Sequence, residues 1–163
     1  AGTAARWHFI GHLQSNKTAL AATHFDWVHT VDRLKIARRL SDQRSFHAPP
    51  LQVCIQVRLG DEGSKSGAEP AAVGELAAAV AELPRITLRG LMTIPPPSDD
   101  PAAQRGYFRT LRELQETLVA GGMTLDTLSM GMSGDLEAAI AEGATLVRVG
   151  TALFGPRPAA RTG

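Results

Sequence analysis

The stretch LDTLSMGMSGDLEAAIAEGATLVRVGTALFG, residues 125–155, decides the fold. An apolar run at 125–130 passes through a loop of glycines and serines into an alanine-rich helical pattern at about 135–142. Gly143 stops that pattern, a second apolar run follows at 145–150, and a second glycine loop closes the stretch. Short, nearly continuous apolar runs are expected when both faces of a strand are covered. Two of them joined by one helix make a βαβ unit and predict parallel pairing. Small hydroxyl-bearing residues at the mouth of the helix have two uses. Ser133 or Gly134 can satisfy free backbone N–H groups as a cap, or the helix start is kept open for an anion such as phosphate.

The same alternation extends outward along the chain. Further strand-like runs are RWHFIG (6–11), DWVHTV (26–31), LQVCIQVRL (51–59) and ITLRGLMTI (86–94). Asp32 is expected to cap a helix that buries Ile36, Ala37 and Leu40. Residues 71–83 place Val73, Leu76, Val80 and Leu83 on one stripe. Asp100-Pro101 is a start signal for a helix carrying Tyr107, Leu111, Leu114 and Leu118, and Gly121-Gly122 ends it. No repeat, low-complexity segment or linker interrupts the pattern, so the chain reads as a single domain over 1–163, with 156–163 as a tail.

Six βα units fit either an open doubly wound sheet or part of a (β/α)8 barrel, which spans roughly 250 residues when complete. No GxGxxG fingerprint follows any strand. The specific sequences lie instead in the loops after the strands: GHLQSNK, DEGSKSG, PPPSDD, GMSGD and GTALFG. The expected fold is therefore an α/β TIM-barrel type, incomplete, with about six of eight units present.

Composition narrows the function classes. The chain has 163 residues, 44% hydrophobic and 20% charged, with a net charge of +1, the profile of a globular domain. That charge gives no electrostatic reason to expect nucleic acid or a membrane surface as partner. No apolar run reaches the length of a membrane span. The single cysteine, Cys54, lies within the apolar run 51–59. It cannot form an internal disulfide and is expected to be a buried, inert thiol, consistent with a cytoplasmic setting. No residue is assigned to a metal.

The two last loops form the candidate site, because barrels often bind phosphate between the loops after strands seven and eight. Ser133 and Thr151 offer hydroxyls, Gly134 and Asp135 offer backbone N–H groups, and Gly150 permits close approach. Neither loop contains a lysine, so charge would have to come from an arginine. Arg148 sits inside the strand VRVG, where a guanidinium needs a partner. A salt bridge to a barrel carboxylate and a ligand contact are both open for it. Asp135 opposes an anion at the helix start unless its carboxylate turns away.

Taken together, WHFIGHLQSNK (7–17), DEGSKSG (61–67), GLMTIP (90–95), SMGMSGDLEAAI (129–140) and VRVGTALFG (147–155) resemble the YggS/PROSC family of pyridoxal phosphate homeostasis proteins, which is related to the N-terminal barrel of alanine racemase. The resemblance covers the chain from Trp7 to Gly155. It implies a (β/α)8 barrel that binds pyridoxal 5′-phosphate (PLP). Ser133, Gly150 and Thr151 would hold the phosphate and Arg148 would face the pyridine nitrogen, with His8 and Asn16 lining the site. For His8, a simple hydrogen-bonded strand histidine is the alternative.

The family's Schiff-base lysine lies in a segment resembling AVSKTKP at the end of its first strand, and its next strand carries a GENYVQE-like motif. Neither occurs here, and Lys17, Lys35 and Lys65 match no such motif. The expected role is carrying or buffering PLP within the cell, with apo-PLP enzymes as partners, no catalytic residues and a monomeric full-length form. The alternative is an amino-acid racemase of alanine racemase type. That reaction needs a second acid/base group, and the chain's one tyrosine, Tyr107, lies on a helix stripe suited to packing.

Overall fold

The computed structural model describes residues 4–60 and 66–155. Six strands, β1 (His8–Phe9), β2 (Trp27–Val31), β3 (Leu51–Gln56), β4 (Ile86–Met92), β5 (Thr127–Met132) and β6 (Leu146–Arg148), form one sheet in sequential order. Every neighbouring pair is parallel. A doubly wound sheet reverses its strand order at a switch point. The strictly sequential order here is that of a barrel wall, with β1 and β6 as its two edges.

The connections are α1 (Thr18–His24), α2 (Leu34–Gln43), α3 (Val73–Ala81), α4 (Pro101–Ala120) and α5 (Leu136–Ala141), with a single turn, α6 (Thr151–Phe154), after β6. The main core lies between sheet and helices. There Val28, Val53, Ile55, Leu91 and Met130 of the strands meet Ile36, Leu40, Val80, Phe108 and Leu111 of the helices. A second, small cluster of Trp27, Cys54 and Met92, flanked by Ile94, occupies the opposite face. The two faces of each strand thus have different uses. One packs helices, and the other lines the inside of the incomplete barrel.

Most helix signals act as read. Asp100 accepts a hydrogen bond from the Ala102 N–H at 3.0 Å, capping α4 one residue before its proline. The buried face of α4 is Phe108, Leu111 and Gln115, with Tyr107, Leu114 and Leu118 packed at its margin. Asp32 does not cap α2. Its carboxylate takes the Arg33 guanidinium instead, at 3.2 Å, and the residue before the helix makes no side-chain cap. α1, which follows the 3-10 turn Ser15–Lys17, is short and carries no side-chain cap.

Two glycines set the local geometry of the site's walls. A Cβ on Gly90 would overlap the Thr127 carbonyl oxygen. Gly90 therefore lets β4 approach β5 where the β3–β4 register slips by one residue. Buried Gln115 accepts the Leu91 N–H at 3.1 Å beside that slip. Gly131 has φ +96°, and its Cβ would lie 2.5 Å from the Ala139 Cβ, so β5 and α5 meet in close contact just before the serine loop.

Candidate functional site

The inside of the barrel should be apolar by the logic of strand burial, yet it carries a line of polar side chains. On β6, Arg148 is 8% exposed. Its Nη1 donates to the Ser129 hydroxyl on β5 at 2.8 Å and its Nη2 donates to the Thr93 carbonyl after β4 at 2.9 Å. No carboxylate pairs with it among the described residues, so the salt bridge considered from sequence is not formed. Burial pushes its pKa down, with Asp135 the largest opposing influence, but a guanidinium stays protonated regardless. The Nε–H of Arg148 is buried and has no hydrogen-bond partner. A buried donor left unpaired costs about 1–3 kcal/mol, and that cost falls away if a ligand offers an acceptor there.

The polar line continues to β2 and β1. Ser129 Oγ lies 2.8 Å from His29 Nδ1, and His29 Nε2 lies 2.9 Å from His8 Nδ1. His29 is fully buried. Desolvation, followed by the neighbouring His8 and Arg148, pushes its pKa down to about 3, so the ring is neutral at pH 7. His8 is half-buried and its pKa is also lowered, chiefly by burial. Its ring stacks on Trp27 at 5.3 Å with the planes 9° apart. The Arg89 guanidinium lies 4.9 Å from the Trp27 ring centroid.

The two loops singled out from sequence do come together. Ser133 Oγ accepts the Ala152 N–H at 3.1 Å, which ties the loop after β5 to the first turn of α6. Gly150 immediately precedes that turn and Thr151 begins it, both exposed. A Cβ on Gly134 or Gly150 would meet no atom within 4 Å, so the space over both backbones is open. The Asp135 carboxylate turns back to accept the Met132 N–H at 2.6 Å. It is therefore engaged within its own loop and does not cap α5.

Ser133, Gly150, Thr151 and Arg148 thus lie on two adjacent strand ends, and His8 joins Arg148 through two intermediaries. Asn16 stands apart from them. It is exposed in the 3-10 turn after β1, and no hydrogen bond ties it to the cluster. Lys17 and Lys35 are exposed, and Lys65 lies outside the described residues. Cys54 is fully buried with its thiol pushed up to about 12, mainly by desolvation, which makes it inert as expected. Tyr107 packs against the helix-side core. Sequence reading passed over His29 and Ser129. Their signal was a histidine and a serine at inward-facing parity inside the largely apolar runs WVHTV and TLSMGM.

Residues 1–158 match the family described as alanine racemase, N-terminal domain. The chain belongs to that family. Among its relatives, the pyridoxal phosphate homeostasis protein of Vibrio cholerae is 58% identical over 158 residues, covering 97% of this chain and 67% of the relative. The protein of that name from Pseudomonas aeruginosa is 62% identical over 151 residues, covering 93% and 64%. The chain therefore spans about two thirds of the length of these curated relatives.

Among solved structures, PipY of Synechococcus elongatus PCC7942 with PLP bound superposes with a TM-score of 0.85 at 38% identity. The match covers 92% of this chain and 70% of that one. Alanine racemase of Clostridium difficile 630 shares the fold, with a TM-score of 0.78 at 14% identity over 98% of this chain and 42% of that one. Members of the family thus share the barrel wall whose inner face carries Arg148 here.

Proposed function

We propose that this chain is the greater part of a PLP-binding barrel that carries or buffers PLP inside the cell. The observation that carries the reading is the Nε–H of Arg148, buried and unpaired beside the loops of Ser133 and Thr151. A pyridine nitrogen is an acceptor and a phosphate ester is an anion, and the two ends of this site offer one partner for each. When bound, PLP supplies an aldehyde and an electron-withdrawing ring. Arg148 holds its proton too firmly to give it to the ring nitrogen, so it would keep that nitrogen unprotonated and the ring a weak electron sink. Such a setting suits holding PLP better than general amino-acid chemistry.

Ser133, Gly150 and Thr151 are the residues we assign to the phosphate, through the Ser133 and Thr151 hydroxyls and the open backbone at Gly150. His8 acts through His29, and Asn16 is assigned to the rim of the site. The names of the Vibrio and Pseudomonas relatives and the PLP in PipY support this reading. The racemase alternative is disfavoured, since Tyr107 faces the helix-side core. Apo-PLP enzymes as recipients, a monomeric full-length protein and a cytoplasmic location, the last in keeping with the unpaired Cys54, complete the proposal.

Equilibrium dialysis with PLP, pyridoxal and inorganic phosphate tests it. The reading expects PLP to bind more tightly than either fragment of itself. Equal binding of PLP and inorganic phosphate would show an anion site with no role for the ring, and would overturn the reading.

A further inference from the structure

The contacts His8–His29, His29–Ser129 and Ser129–Arg148 cross the inner face of the sheet from one edge strand to the other. Their proton positions follow from the donor inventory of each group. Arg148 can only donate, so one lone pair of Ser129 Oγ is taken. Ser129 is fully buried. If His29 also donated, through Nδ1–H, the serine hydroxyl proton would be left inside the barrel with nothing to bond.

With His29 as the Nε2–H tautomer the account closes. Ser129 donates to His29 Nδ1, His29 donates to His8 Nδ1, and His8 carries its own proton on Nε2. All the bonds then run one way, away from the guanidinium, and each polarises the next. The far end is fixed by the stack of His8 on Trp27.

We infer that His29, acting through Ser129, is a positioning residue for Arg148. The neutral His29–Ser129 pair fixes the guanidinium so that its Nε–H is presented to a ring-nitrogen acceptor, without a carboxylate that would cancel its charge. A carboxylate in place of this pair would hold Arg148 equally well but would neutralise it. In so far as the acceptor is the pyridine nitrogen of PLP, the inference rests on the function proposed above. The tautomer of His29 does not depend on it.

Two measurements test the inference. In the ligand-free chain, ¹⁵N imidazole shifts should show His29 as the Nε2–H tautomer with Nδ1 accepting. The Nδ1–H tautomer overturns the assignment whatever the chain binds. Binding of PLP is then compared with binding of its 1-deaza analogue, whose uncharged ring has C–H in place of the nitrogen and can accept no hydrogen bond there. The wild type should prefer PLP by about tenfold or more, the worth of one hydrogen bond to a charged group.

Ser129→Ala and His29→Phe should reduce that preference to within about threefold, and Ser129→Thr, which keeps the hydroxyl, should retain it. Preference undiminished in folded Ser129→Ala overturns the inference and leaves the PLP reading standing. A wild type that binds neither compound overturns the PLP reading, and the tautomer then decides the positioning role alone.

Discussion

His29 Nδ1 and Ser129 Oγ lie 2.8 Å apart although 100 positions separate them in the chain. The contact exists because β2 and β5 both turn an inward-facing position toward the same interior, where His29 is fully buried and neutral. Its folded pKa, about 3, is below the ordinary value of 6.5. In the unfolded chain the ring binds a proton below about pH 6.5, and in the folded chain it does not until about pH 3. The unfolded state therefore gains protons first as pH falls. Stability contributed by neutral His29 is complete above pH 6.5 and is lost toward pH 3, at about 1.4 kcal/mol per pH unit. Urea unfolding at pH 7, 6, 5 and 4 should show this slope, and the slope should be shallower by that amount in His29→Gln.

Glu142, at the end of α5, is 2% exposed and gathers Arg105 at 2.8 Å, Arg109 at 3.2 Å and Arg112 at 3.5 Å from α4. The hydrogen bond from Arg109 is the main cause that holds its carboxyl below the usual range. Glu142→Gln leaves three cations around a neutral group. The melting temperature should fall at pH 7, and raising the salt concentration should recover part of the loss, because the arginines are partly exposed and their mutual repulsion is screened.

Gly131→Ala and Gly134→Ala should separate cleanly. The first puts a Cβ into contact with Ala139 on a backbone at φ +96°, and the second meets open space. A loss of about 1–3 kcal/mol is expected for Gly131→Ala, with Gly134→Ala within about 0.5 kcal/mol of the parent. Chemical denaturation of the two variants side by side checks the contrast.

Much of this organisation was legible in the chain. All six apolar runs became strands, and Asp100-Pro101 and Gly121-Gly122 bound α4, because capping and breaking are local effects written in adjacent residues. Asp32 misled for the same reason. Its carboxylate had a nearer competitor in Arg33 than the helix N–H groups. Arg148 was visible as a charge inside a strand, and its pairing with two neutral oxygens was not. Ser129 on β5 and Thr93 just after β4 reach it from distant parts of the chain, and sequence separation hides such partners. His29 escaped for the same cause, its role being defined by residues 21 and 100 positions away.

The phosphate assignment has its own test in Gly150→Ala. The added methyl meets no protein atom within 4 Å, so the melting temperature of the free chain should be unchanged. Affinity for PLP should fall, by roughly tenfold if the methyl occupies space the phosphate needs. Isothermal titration of parent and variant measures the affinity, and a thermal melt of the same preparations measures the stability.

The central claim is that the unpaired Nε–H of Arg148 recognises the ring nitrogen of PLP, and the dissociation constant of PLP for Arg148→Gln against the wild type tests it most directly. The account predicts that the wild type binds PLP and that the variant, checked as folded by its melting curve, binds at least about tenfold more weakly. Equal affinity in the two proteins would contradict it.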